Sequence, residues 1–396
     1  MKRIAILCIY LMFFITTCSC SSEPTYQQDK SSEIRIMYGD LSPVENGAFH
    51  VGVVLSSENS QSRDVTYYES VLKYTDFSTM QSTVVCSKPN CLHNNSNSSC
   101  TAFGMDNHAV QVGKKLFFFE DVFEYDKDGN PTTYQNVWQA ALDGGERVKL
   151  GKLDDVNLEI GSAAAVIGER IYFVGVKKGS YNYSHTSEDI SSLTGDEFYF
   201  CRYDFSKKEL TNFGLLGEGF SGGGGIDGRF NGKLYFGVSY MNELVDFQQF
   251  TDWQEYMENM PKTVYGFFCF DFETETLTPS DMPSIENIGI VTDDYYGVRT
   301  EDGELRAFNT SGEEKLYSGY DFDYINVLNG YVFNFYNGTA LNLDTGEIVG
   351  LKQDMVGGYY KAVTYRDGRY IFYTKDPADA LSGGFVSVDE KDIFVK

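Results

Sequence analysis

A short hairpin pattern recurs along most of this chain and limits the folds open to it. Asn-Gly and Asp-Gly turns need positive φ at both central residues, which makes them strong signals for two-residue β-hairpins. A second hairpin follows most copies, so each repeat supplies four antiparallel strands. Each copy has a weakly apolar strand, a turn that often contains glycine and a strand rich in aromatic residues, and the copies begin at Asn46, Val112, Ile167, Asn231, Thr292, Asn329 and Arg366.

This repeat predicts an all-β chain that forms a β-propeller of about seven four-stranded blades over residues 33–396. Six or eight blades are the alternatives, because residues 34–37 fit either the first blade or the last. A β-sandwich is less consistent with the pattern, since a single sandwich domain rarely needs so many equivalent hairpins. An aromatic content of 15% and 39 glycines also fit short strands joined by tight turns.

The first four repeats carry polar and aromatic inserts, mostly between their second and third strands. Inserts on one face of a repeat array often build a binding surface. In the fourth repeat, apolar residues recur at three- to four-residue spacing over residues 244–260, which predicts a helix. Trp253 and Tyr256 on this helix are candidates for binding a partner, because aromatic side chains dominate interface hot spots. The alternative is that the apolar face packs on the propeller.

The first residues have the composition of an export signal. Lys2 and Arg3 precede an apolar run over residues 4–15, which is too short to span a bilayer comfortably. We therefore expect a signal peptide over residues 1–17. The alternative to a lipoprotein signal is an ordinary secretory signal that is cleaved without lipidation.

The cysteine at the end of this signal is similar to the lipidated cysteine of a bacterial lipoprotein. Cys18 is favoured because it has an apolar residue three positions upstream, and Cys20 is the alternative because a small residue precedes it. A lipidated cysteine with a flexible tether would then occupy residues 18–32. The predicted location is outside the cytoplasm, anchored to the cell membrane by lipid.

The charge of the chain disfavours some partners. It has 57 acidic and 32 basic residues, a formal net charge of −25. A surface of this sign repels phosphate backbones and anionic lipid headgroups, so we expect no nucleic-acid partner. The same acidity also favours solubility without any specific partner.

Three cysteines and one histidine are concentrated within residues 86–100. Cys86, Cys91, His93 and Cys100 supply three sulfurs and one imidazole, enough for a tetrahedral structural zinc site. Their spacing, C-x4-C-x-H-x6-C, is not that of a standard zinc finger. A disulfide from Cys86 to Cys91 or Cys100, as expected in an exported protein, is one alternative, and a loop with neither feature is the other. Four protein ligands would fill the metal's coordination positions, so we expect no catalysis here.

The remaining cysteines of the predicted propeller are interpreted as packing residues. Cys201 and Cys269 fall in strands of different repeats and are one residue out of register when the repeats are aligned. They therefore point to opposite faces and are expected to be separate thiols.

These features together resemble a group of bacterial surface lipoproteins, common in clostridial genomes, that carry a TolB-like β-propeller domain of unknown function. The resemblance covers most of the mature chain. It implies a cell-surface propeller and no particular reaction. The most specific shared feature is the cysteine loop, which matches at Cys86, Pro89, Cys91, His93 and Cys100.

The sequence therefore predicts a membrane-anchored β-propeller lipoprotein that acts as a binding or scaffold module. The expected ligand is an extracellular or membrane-associated protein or peptide, with a glycan as a further option for the aromatic inserts. The alternative is an extracellular hydrolase or lyase that uses carboxylates at the propeller channel. Carboxylates are too numerous in the sequence for any pair to be assigned to such a reaction.

Overall fold

Several of the predicted hairpin turns have the backbone conformation that their sequences require. Asn231 and Gly232 have φ of 49° and 78°, and Asp367 and Gly368 have φ of 51° and 74°. Positive φ at both central residues defines the type I′ hairpin turn, so the prediction is confirmed at these turns. It is wrong for Asn46-Gly47, where neither residue has positive φ and the two turn residues are Glu45 and Asn46. The structure is a computed structural model that describes residues 34–38, 41–55, 68–93, 100–105, 109–125, 131–153, 156–158, 162–183, 193–244, 253–280, 288–300, 302–322, 325–376 and 379–395.

Antiparallel pairing groups the strands into units that follow the sequence repeats. The described chain opens with β1 (Arg35–Tyr38). Unit 1 contains β2 (Leu41–Val44), β3 (Gly47–Leu55), β4 (Tyr68–Asp76) and β5 (Gln81–Val84). Unit 2 contains β6 (Val110–Val112), β7 (Lys115–Tyr125), β8 (Pro131–Ala141) and β9 (Val148–Leu153). A short strand, β10 (Asn157–Leu158), follows.

Units 3 and 4 share one long strand. Unit 3 contains β11 (Ala163–Ile167), β12 (Arg170–Lys177), β13 (Asp196–Asp204) and the first part of β14 (Glu209–Phe230). Unit 4 contains the second part of β14, β15 (Lys233–Met241), β16 (Thr263–Asp271) and β17 (Thr276–Pro279), with helix α1 (Trp253–Asn259) between β15 and β16. The pairing partner of β14 changes from β13 to β15 between Gly219 and Phe220.

The last three units form separate sheets. Unit 5 contains β18 (Ile288–Val291), β19 (Tyr295–Arg299), β20 (Leu305–Asn309) and β21 (Glu314–Tyr317). Unit 6 contains β22 (Asn326–Leu328), β23 (Tyr331–Asn334), β24 (Thr339–Asn342) and β25 (Ile348–Gly350). Unit 7 contains β26 (Tyr359–Arg366), β27 (Arg369–Asp376) and β28 (Asp379–Asp389), followed by helix α2 (Glu390–Ile393). No helix in the described part of the chain is long and apolar enough to cross a membrane.

The strand near the N-terminus pairs differently from the prediction for residues 34–37. β1 pairs with β11 of unit 3 and, through Tyr38 and Leu41, with β2 of unit 1, so it belongs to neither the first nor the last unit alone. This long-range pairing and the continuous β14 join units 1, 3 and 4 into one 13-stranded sheet. The protein is a β-propeller, and its blade count stays a prediction because these sheets are merged.

Neighbouring units pack face to face through aromatic residues. The rings of Phe117 and Phe205 connect units 2 and 3 with centroids 4.2 Å apart, and Phe200 and Phe236 connect units 3 and 4 at the same distance. The second strands are buried on both faces, as the consecutive buried residues of β12 show. Burial of both faces against neighbours is the packing expected of propeller blades.

Units 1 and 7 meet through side chains. The ring centroids of His50 and Phe385 lie 5.1 Å apart, and Arg366 donates to the Asn46 side-chain oxygen at 2.9 Å. Among the strands that the structure describes, none pairs these two units through the backbone. Side-chain packing is therefore the contact that joins the described ends of the propeller.

Candidate metal centre

The cysteine loop connects β5 of unit 1 to β6 of unit 2. Both of its ends are held by a single residue of β4: the Val85 amide donates to the Leu72 carbonyl at 2.9 Å, and the Leu72 amide donates to the Ala102 carbonyl at 3.1 Å. Cys86 follows the first of these contacts, and Cys100 lies just before the second. The backbone of β4 thus brings together two cysteines that are distant in sequence.

The four predicted ligands converge at this point. Their ligand atoms all lie within 4.8 Å of one another. The sulfurs of Cys86 and Cys100 are 3.7 Å apart, and Nδ1 of His93 lies 3.3 Å from the Cys100 sulfur. In a regular tetrahedron with Zn–S bonds of about 2.3 Å, two sulfurs lie about 3.8 Å apart. Cys86, Cys91, His93 and Cys100 therefore form a cluster that is suited to holding a metal ion.

Two tight backbone bends bring the middle of the loop back towards its ends. Asn90 and His93 have φ of 58° and 53°, in the left-handed region. Asparagine and histidine adopt this conformation more readily than most residues do. These bends allow Cys91 and His93 to face the same point as the two end cysteines.

The site is half-buried and apolar on its inner side. Cys100 is buried with Val71, Ala102 and Phe103, whereas Cys86 and Cys91 pack at the edge of that cluster. Leu92, between two of the ligands, is 81% exposed. The loop thus has one face against the protein and one face open to solvent.

The thiols of Cys86 and Cys100 have opposite pKa shifts. Burial, together with the neighbouring cysteines, raises the pKa of Cys100 to about 12. Burial also acts against the Cys86 thiolate, but hydrogen bonds from the Lys88 amide and from Thr101 lower its pKa to about 7. Metal ligation requires deprotonated thiols, so a metal ion would have to displace the proton of Cys100.

The cysteines of the structure are thiols. No disulfide joins any of the five described cysteines. The 3.7 Å between the Cys86 and Cys100 sulfurs is well beyond the bond length of about 2.05 Å in a disulfide. Cys201 and Cys269 lie in two different core clusters, in agreement with their interpretation as separate packing thiols.

The cysteine loop packs against the end of unit 2 that lies opposite the β7–β8 insert. Its neighbour in unit 2 is the β8–β9 turn, where a Cβ built on Gly144 would lie 2.8 Å from the Val85 carbonyl oxygen and 3.1 Å from that of Thr101. This turn is at the opposite end of β8 from the β7–β8 insert. The reason is the shortness of β5, which pairs with β4 only from Lys73 to Asp76. The loop therefore fills the outer rim between units 1 and 2.

Some predicted site residues lie where the structure gives less detail. The helix predicted in the fourth insert is present as α1, which begins at Trp253 and ends at Asn259. The side chains of Trp253 and Tyr256 lie outside what the structure describes. Cys18 and Cys20, with the predicted signal and tether, also fall outside the described residues.

One residue beside the cluster was missed by the sequence predictions. Arg147, immediately before β9, donates to the Phe103 carbonyl at 2.9 Å and to the Thr101 carbonyl. It lies 46 residues beyond Thr101 in the chain, and no local sequence signal connects it to the cysteine loop. Only the packing of unit 2 against unit 1 reveals this contact.

Comparisons with known proteins give matches in structure alone. Neither a protein-family model nor a curated protein sequence matches the chain. The β-propeller domain of the Trilobed protease from Pyrococcus furiosus is similar at 10% identity and a TM-score of 0.38, with 91% of this chain and 96% of that domain covered. BamB from Moraxella catarrhalis is similar at 12% identity and a TM-score of 0.37, with 89% and 95% covered.

A puromycin hydrolase structure is also similar, at 11% identity and a TM-score of 0.47. The match covers 89% of this chain and 52% of the hydrolase, so the chain spans about half the length of that protein. Likenesses at this level say nothing about activity. The assignment of a β-propeller follows from the sheet topology and the packing between units.

Proposed function

We propose that the protein is an extracytoplasmic, lipid-anchored β-propeller that acts as a binding or scaffold module, with a structural zinc ion at the rim between units 1 and 2. The observation that supports the zinc ion is the convergence of four ligand atoms within 4.8 Å. Cys86, Cys91, His93 and Cys100 would hold the ion. Because these residues complete a tetrahedral shell, no position is left for water or substrate, and the site is structural.

Bound zinc would act on the loop by joining its ends and its middle at one point. The hydrogen bonds of Leu72 fix the two ends, but they do not reach Cys91 or His93. Zinc coordination would fix these two residues as well and would thereby stabilise the connection between the units.

The zinc proposal is tested by metal content and thermal unfolding of the full mature chain. We expect about one zinc per chain and a Tm that falls when a chelator is added. Cys91→Ala should lose both the zinc and the response to chelator. Cys269→Ala is the matched control, since it removes a buried thiol outside the cluster and should keep both. A wild-type chain without zinc and with two thiols missing under denaturing conditions would establish a disulfide and overturn the proposal.

The binding role is proposed for the insert of unit 4 and its helix α1. A protein or peptide ligand is favoured over a glycan, because aromatic residues such as Trp253 and Tyr256 commonly provide the hot spots of protein interfaces. Cross-linking on intact cells should capture the same partner with the wild type and with the Leu316→Ala control, which changes an exposed residue of unit 5. The Trp253→Ala and Tyr256→Ala double variant should lose that partner. Equal capture by all three would refute this assignment.

The anchor is proposed at Cys18, with Cys20 as the alternative. Metabolic labelling with an alkyne fatty acid, followed by membrane fractionation, separates these sites. Cys18→Ser should abolish labelling and release the protein from the membrane fraction, whereas Cys20→Ser should leave both unchanged. Labelling that persists in Cys18→Ser and disappears in Cys20→Ser would assign the anchor to Cys20. If the wild type and both variants are all unlabelled, lipidation is refuted.

A second candidate function is that of a hydrolase or lyase, and Asp227 in β14 is the residue that favours it. Solvent reaches Asp227, yet the surrounding protein desolvates the carboxyl group and raises its pKa to about 7. A pKa near the working pH suits a general acid. Turnover of a polysaccharide or peptide substrate that Asp227→Asn abolishes would support this candidate over the binding module.

A further inference from the structure

The guanidinium group of Arg147 spans the backbone that follows Cys100. It donates to the carbonyls of Thr101 and Phe103, and its carbon lies 5.3 Å from the centroid of the Phe118 ring. The side chain is half-buried. It therefore connects the β8–β9 turn of unit 2 to the end of the cysteine loop that carries the buried ligand.

The charge of Arg147 has no carboxylate partner among the described residues. None of the ion pairs in the described part of the chain includes it, and its Nε–H is buried without a hydrogen-bond acceptor. Burial lowers the pKa of Arg147, and the nearby groups that would act in the opposite direction when ionised are, in order, Cys100, Glu120 and Cys86. Two of these three groups are ligands of the proposed metal centre.

The proposed centre would place a negative charge close to Arg147. Three thiolates and a neutral imidazole around Zn²⁺ carry a net charge of −1, which a single nearby cation neutralises. A buried charge is costly unless it is paired, so the cation and the metal centre would stabilise each other. Groups just outside a metal's ligands commonly change its affinity by 10- to 100-fold.

We propose that Arg147 is the counter-cation of the metal centre and positions its loop through the carbonyls of Thr101 and Phe103. This inference rests on the proposed zinc site and adds a residue from another unit to it. Metal binding and the packing of unit 2 against unit 1 would then be linked, because the same side chain takes part in both. Arg147 is a positioning residue and not a ligand.

The test is the zinc affinity of the full mature chain, measured by competition with a chromophoric chelator. Arg147→Met keeps most of the side-chain volume but removes the charge, and should weaken zinc binding about tenfold or more, about 1.4 kcal/mol per tenfold. Arg147→Lys restores the charge and should recover most of that loss. Arg306→Met removes an exposed arginine paired with Glu314 in unit 5 and should leave the affinity unchanged.

Thermal unfolding with and without zinc shows whether Arg147 balances the charge of the metal centre or only stabilises the fold. Arg147→Met should lower the Tm of the zinc-loaded chain more than that of the zinc-free chain, since the loaded chain has three thiolates and hence the larger negative charge to balance. An affinity equal to that of the wild type, an Arg147→Lys variant as weak as Arg147→Met, or equal losses of Tm in both forms would each overturn the inference. A wild-type chain that binds no zinc would instead refute the underlying metal site, which is a distinguishable result.

Discussion

Replacing Gly144 with alanine should destabilise the protein by two separate effects. Gly144 has φ of 80°, in the left-handed region, where an L-residue costs about 1–2 kcal/mol. Its added Cβ would also lie 2.8 Å from the Val85 carbonyl oxygen and 2.9 Å from the Met105 methyl carbon. Forcing an extra carbon into such a site typically costs about 1–3 kcal/mol. The expected total is therefore about 2–5 kcal/mol in the free energy of unfolding.

A matched control in the same unit separates the two effects. Gly113, in the β6–β7 turn, has φ of 57° and nothing within 4 Å of its built Cβ, so Gly113→Ala should cost only the backbone term of about 1–2 kcal/mol. Urea denaturation of both variants measures the difference, provided that the m-values agree with that of the wild type. Equal losses for Gly113→Ala and Gly144→Ala would refute the packing of the β8–β9 turn against the cysteine loop.

Three further changes test other parts of the account. Phe200→Ala removes a fully buried ring that stacks on Phe236 between units 3 and 4, and should lower the free energy of unfolding in urea by about 3–5 kcal/mol. Tyr181→Phe removes the hydroxyl that donates to buried Asp196 at 3.1 Å, and should cost about 1–3 kcal/mol in the same assay. Asp204 differs, because its effect depends on pH. Burial would raise the pKa of Asp204, but hydrogen bonds and a neighbouring guanidinium hold it below its ordinary value. Its stabilisation is thus present at neutral pH and lost as the pH falls below about 4, so Asp204→Asn should flatten the acid limb of a plot of stability against pH. An unchanged acid limb, or losses below 1 kcal/mol for the other two variants, would contradict the contacts described.

The hairpins could be predicted from the sequence because their determinants are local. The residue types of Asn-Gly and Asp-Gly turns favour positive φ, as observed at Asn231 and Asp367. The partner of β1 could not be predicted, since its pairing with β11 joins residues that are far apart in the chain. The length of β14 could not be predicted either. Its glycine-rich run suggests a break between units, but the strand continues through it from unit 3 into unit 4.

The ligand set of the candidate metal centre was also predictable, because three cysteines and one histidine fall within fifteen residues in the sequence. The position of the loop was not, since it depends on where β5 stops along β4. Arg147 could not be found at all without the structure. Its role follows from the packing of two units, and an isolated arginine before a strand carries no signal of that packing.

X-ray absorption at the zinc edge tests the central claim most directly, on the mature chain purified without added metal. The proposed centre predicts three sulfur ligands at about 2.3 Å and one nitrogen at about 2.0–2.1 Å, with the sulfur count reduced to two in Cys91→Ser if zinc is retained. If the wild-type chain holds zinc through oxygen and nitrogen ligands alone, or holds no zinc, then Cys86, Cys91, His93 and Cys100 do not form a metal site.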